Sequence, residues 1–169
     1  MAEPVTEIPK NWVDETWLEI GGLQDEMKAA KLSQSFTKRQ PALAEFILTF
    51  TQDLSDEAHE LAYYVGLVVW RCYESYFKGR LREITSDEVI AQHEKMETWL
   101  GRLEKTDERF LAKRILNKAD YEQKHILQYI VEAIFESRGE DINLTEDEEG
   151  MLFMVLKVHK DCLDLAVKN

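Results

Sequence analysis

Residues 55–78 read SDEAHELAYYVGLVVWRCYESYFK, and from Leu61 to Trp70 they run ten residues without a charge. As a helix rising about 1.5 Å per residue, that run spans roughly 15 Å. A bilayer core needs about twice the length, so the stretch is expected to be a buried helix, with no membrane partner. Ser55 stands in capping position, and Asp56 and Glu57 place carboxylates at the positive end of the dipole. Gly79 marks the stop. Helical spacing puts Ala58, Ala62, Val65, Val69, Cys72 and Tyr76 on one face. Glu60, Tyr64, Leu67, Arg71, Glu74 and Lys78 fall opposite, and Tyr64 and Leu67 make even that side partly apolar. A helix apolar on so many sides is enclosed by others. The expected fold is all-α: a single-domain bundle of six or seven helices around this central rod.

On the N-terminal side, Pro4 and Pro9 prevent a continuous helix, so residues 1–10 are expected to form a flexible or draped arm, and residues 11–169 the domain. A first helix is expected from Asn11 to about Ser33, with Ile20, Leu23, Met27 and Ala30 inward; at Gly21-Gly22 it either bends, the favoured reading, or ends. Pro41 suits the first position of a second helix, whose stripe is Leu43, Phe46, Ile47, Phe50 and Leu54. Past the central helix, Thr85 and Glu88 form a capping box, with Val89, His93, Met96, Leu100 and Leu103 inward. Another helix is expected from Thr106, with Phe110, Leu111 and Ile115 inward. It either continues into Ile126, Leu127, Ile130 and Ile134 or breaks near Asn117 to Asp120, and Gly139 ends that segment. Thr145 and Glu148 make a second capping box. The last helix then carries Met151, Leu152, Val155, Val158, His159, Cys162 and Ala166 on one face.

The formal net charge is −12, a field that repels phosphate, so no nucleic acid is expected as a partner. An acidic surface first serves solubility, and a basic protein partner fits the same charge. Cys72 and Cys162 both fall on apolar faces, and the opening MAEPVTEIPK lacks a charged-then-hydrophobic leader pattern. A cytoplasmic protein with two reduced, buried thiols is expected.

Three chemistries find partial matches in the sequence. Glu122-x-x-His125 matches half of a di-metal carboxylate template, but it lies among Glu132 and Glu136 on a face expected to be solvated. The looser match, Asp56 to His59, is explained as helix-start acids. Asp141 to Thr145 begins like a calcium loop, which then fails at Glu146 and Leu152. The strongest cluster is His93, Glu97, His159 and Cys162. Each histidine sits inside an apolar stripe, with Glu97 one turn from His93 and Cys162 one turn from His159. Facing each other, they would make a transition-metal set or a Cys/His nucleophile pair. Unless those faces meet, each histidine is a half-buried packing residue, and no metal or cofactor is expected.

Apolar residues also fall where water should be: Tyr64 and Leu67, Phe153 and Leu156, Trp12 and Trp17. Such a surplus marks an interface or a face covered within the chain. The favoured expectation is a non-enzymatic helical protein acting through protein–protein contacts and forming a homodimer through Tyr64 and Leu67. The alternative is a metal-binding or Cys/His-dependent enzyme.

Overall fold

The computed structural model describes residues 6–23, 25–101, 123–136 and 143–167. Seven α-helices follow one another there: α1 Lys10–Gly21, α2 Glu26–Arg39, α3 Pro41–Thr51, α4 Asp56–Phe77, α5 Ser86–Gly101, α6 Lys124–Val131 and α7 Glu146–Ala166. A π-helical turn, Glu132–Glu136, continues α6. Among the described residues the only β-type pairing is one antiparallel bridge, Leu81 with Val167.

Helix α4 is the rod around which the bundle is built. Its start is capped as its sequence dictates, with Ala58 N–H donating to Ser55 Oγ. It packs against α1, α2, α3 and α7, and Ala58, Ala62, Val65, Val68, Val69, Cys72 and Tyr73 are all fully enclosed. Gly66 permits the tightest crossing. A Cβ there would lie 2.6 Å from Ile47 Cδ1, so α3 approaches the rod closely only because no side chain intervenes. Helix α7 packs against α3, α4, α5 and α6 and supplies the second half of the core through Leu152, Val155, Leu156, Val158 and Leu163.

Several expectations are corrected. The N-terminal helix ends at Gly21-Gly22 rather than kinking there, because Leu23 N turns back onto Ile20 O at 3.1 Å in a tighter three-residue step and Asp25 caps a new helix by accepting from Met27 N. The stripe expected to cross that point dissolves, and Met27 is 70% exposed. Phe50 is likewise exposed rather than inward. Leu67 lies inside the core at 8% exposure, and Phe153 and Leu156 are buried as well. Enclosing helices cover these residues within the chain, so a self-pairing surface of Tyr64 and Leu67 loses its leucine. The helix expected from Thr106, the break near Asn117 to Asp120, Leu103, Glu122, Gly139 and Asp141 lie outside the described residues.

Two glutamines tie non-helical chain to the bundle by the same device. Gln40, ahead of α3, donates from Nε2 to Arg82 O at 2.9 Å and accepts from Ile84 N at 2.9 Å. Gln123, ahead of α6 with φ 59°, donates to Thr6 O at 2.9 Å and accepts from Ile8 N at 2.8 Å. Each amide presents one donor and one acceptor, which matches the edge of an extended backbone. Part of the stretch expected as an arm, Thr6 to Pro9, is thus pinned, and Ile8 is fully buried.

Candidate functional site

Helices α5 and α7 pack together, and the weaker of the two readings, a cluster of His93, Glu97, His159 and Cys162, depends on how their side chains lie. Among the described residues no group of three or more His, Cys, Asp or Glu side chains is placed to hold an ion. His93 stacks on Phe50 and Phe46 of α3, with ring centroids 4.7 and 5.8 Å away, and its Nε2 lies 3.6 Å from Glu97. His159 is sealed elsewhere, its Nε2 on Gly66 O at 2.9 Å and its ring edge-on to Phe36. Burial pushes its imidazole down to about 4, so it stands neutral at pH 7, with Nδ1 lacking a protein partner among the described residues. Burial also pushes the thiols of Cys72 and Cys162 up to about 12, which holds both as inert thiols rather than nucleophilic thiolates. Of the weaker templates, His59 Nδ1 pairs with the Thr51 hydroxyl at 2.8 Å, and His125 Nε2 lies 3.9 Å from Glu7.

A polar network that sequence reasoning missed occupies the end of α7. Tyr73 Oη donates to Asp164 Oδ1 at 2.6 Å, and Lys160 Nζ donates to Asp164 Oδ2 at 2.8 Å and Asp161 Oδ1 at 3.3 Å. Burial alone would lower Lys160, but the two carboxylates facing it hold it above its ordinary value. Burial raises Asp164 to about 6, because one ammonium and one hydroxyl do not offset its desolvation. Lys157 Nζ completes the network on Asp161, at 2.8 Å from Oδ1 and 2.6 Å from Oδ2.

A cavity of about 270 Å³ lies between α1, α4, α6 and the π turn. Its lining is Trp17 from α1, Leu61, Tyr64 and Val65 from α4, Tyr129 from α6, and Glu132 and Ala133 from the π turn. Two of these groups are i, i+3, i+4 triplets, the spacing that brings three side chains to one face of a helix. Helix α1 approaches Tyr64 closely because it ends in glycine: a Cβ on Gly21 would stand 3.3 Å from Tyr64 Oη. The π turn sits where such turns often accompany functional sites.

Burial raises the phenols of both Tyr64 and Tyr129, so each stays a neutral hydroxyl. Neither hydroxyl has a protein hydrogen-bond partner among the described residues. Glu132 accepts from Gln128 Nε2 at 2.9 Å through Oε1 and is half-buried, which corrects the solvated face expected for it, whereas Glu136 is exposed. Trp17 and Tyr64, 38% and 36% exposed, stand at the boundary with solvent. The sequence marked Trp17 and Tyr64 as aromatics out of place. Tyr129 and Glu132 carried the same signal in the Tyr129, Glu132, Ala133 triplet, but the acidic neighbours masked it. Comparison with family models, with curated proteins and with solved structures finds no match to this chain.

Proposed function

We propose that this chain is a non-enzymatic helical module that acts through contact with another protein, and that the partner seats a side chain in the cavity lined by Trp17, Tyr64, Tyr129 and Glu132. The observation that carries this reading is the cavity itself. It has apolar walls and two tyrosine hydroxyls without a protein partner among the described residues, and it adjoins Trp17 and Leu18, the latter 58% exposed. Its volume falls just below the roughly 300 Å³ where drug-sized ligand sites begin, which suits one side chain. A central anchor pocket with an aromatic rim is the arrangement that concentrates binding energy at protein interfaces. The protonated thiols and the Lys160 network support a binding role over a nucleophilic one.

A photoreactive residue at position 18, followed by reconstitution with the purified cross-linked partner, tests the reading. Ala133→Trp, which fills the cavity, and Leu18→Asp should each weaken that complex at least about tenfold with unchanged helical content. A dimeric mass in light scattering, lost in Leu18→Asp, would make the partner a second copy of this chain, the homo-oligomer expected from the sequence. A complex indifferent to both substitutions overturns the proposal.

A further inference from the structure

We infer that the group seated in this cavity is an alkylammonium, the end of a lysine-type side chain on a basic partner segment; the inference rests on reading the cavity as an anchor site. Three aromatic side chains from three helices, Trp17, Tyr64 and Tyr129, share one lining. Aromatic faces carry negative potential and attract cations, most strongly where water is excluded. Among the described residues Glu132 supplies the one formal charge of the lining, and no lysine or arginine contributes to it. Its Oε1 is taken by Gln128, while Oε2 has no protein donor among the described residues. A neutral apolar guest would strip water from that carboxylate and return nothing. An ammonium returns a charge-assisted hydrogen bond, and the phenol oxygens of Tyr64 and Tyr129 add acceptor lone pairs. Leu61, Val65 and Ala133 offer apolar wall to the methylene stem. An anion meets a carboxylate and three aromatic side chains with no cation among the described lining residues, and is disfavoured. At longer range the net charge of −12 draws a basic segment toward the molecule.

The test follows the methyl resonances of Val65 and Ala133 while three probes are titrated into the full chain: N-acetyl-lysine methylamide, N-acetyl-norleucine methylamide and butylammonium. The lysine probe should shift these methyls saturably, and norleucine, equal in stem but without charge, should bind at least about tenfold more weakly. Glu132→Gln should remove most of that difference by weakening only the lysine probe, with the melting temperature as a check on folding. Added salt should weaken lysine and leave norleucine unchanged. Equal or tighter binding of norleucine overturns the cationic guest and leaves an apolar anchor pocket standing. Butylammonium binding well above the lysine probe overturns the partner side chain in favour of a free amine. If no probe moves the Val65 and Ala133 methyls, the anchor site falls together with the inference.

Discussion

His159 shows how far burial can carry one titratable group from ordinary behaviour. Its imidazole would titrate near 6.5 in an unfolded chain and near 4 in its sealed site on Gly66. Between those values the unfolded chain takes up a proton that the folded one refuses. The stability this group contributes is therefore fully present above pH 6.5 and is lost as pH falls toward 4, by up to about 3 kcal/mol. Asp164 acts with the opposite sign, since its raised value makes the folded chain the better proton binder below about 6. Urea unfolding of Asp164→Asn between pH 7 and 5, above the range where the depressed carboxyls of Glu88 and Glu148 begin to weigh on stability, reads the histidine, and a flat profile there would show that His159 is not sealed. Nuclear magnetic resonance of the ring should show no titration between pH 5 and 8. At the neighbouring turn Val69 is 0% exposed, so Val69→Asp buries an unpaired carboxylate at a cost of several kcal/mol, comparable with the stability of a whole domain. The variant should be absent from the soluble fraction on expression.

Among elements, the two glutamine clamps make the sharper test, because glutamate has the same shape. In Gln40→Glu the nitrogen that donates to Arg82 O becomes an oxygen, and two acceptors face each other in a buried site. The expected loss is about 1–3 kcal/mol in urea unfolding, although the substitution removes no volume. Gln123→Glu should behave alike at Thr6 O. Helix caps, by contrast, were readable in the sequence. Both capping boxes form as their spacing dictates, with Glu88 N on Thr85 Oγ1 at 3.2 Å and Glu148 N on Thr145 Oγ1 at 3.1 Å. Capping is decided by residues three apart, so a local pattern suffices to see it. The glutamine clamps join positions 44 and 115 residues apart, and no local pattern announces them.

At the scale of the molecule, the same distinction between near and far contacts separates what the sequence discloses from what it hides. The all-α class and the central rod follow from periodicity, since Val65, Val69 and Cys72 repeat at the helical interval and all are buried. Half of the candidate cavity was visible too: Trp17 and Tyr64 are aromatic on faces otherwise polar. Tyr129 and Glu132 join them only because α1, α4 and α6 pack side by side, which is a property of the assembled chain. Whether the faces of His93 and His159 meet is a question of the same kind. Packing of their helices was necessary, but α3 inserts Phe46 and Phe50 against one ring and α2 inserts Phe36 against the other.

Glu148 carries the reach of this architecture furthest. Its Oε1 accepts from Thr145 N in its own capping box, while Oε2 accepts from Ser55 N at 2.9 Å and Ser55 Oγ at 2.7 Å, 93 residues away. Those bonds, from Ser55 above all and from Thr145, hold the carboxyl below its ordinary range. Glu148→Ala should cost about 2–4 kcal/mol, against about 1 for Thr85→Ala at the exposed box, as read from urea midpoints. During synthesis the chain emerges from its N-terminus, and the opening turn of the central rod is made long before residue 148 exists. Until then the backbone amide of Ser55 has water for a partner, and the rod begins with a loose end. The amide should therefore exchange its proton with solvent as readily as an unstructured one in a nascent chain, and slow sharply only when α7 docks. One carboxylate from near the chain's end decides when its middle is finished.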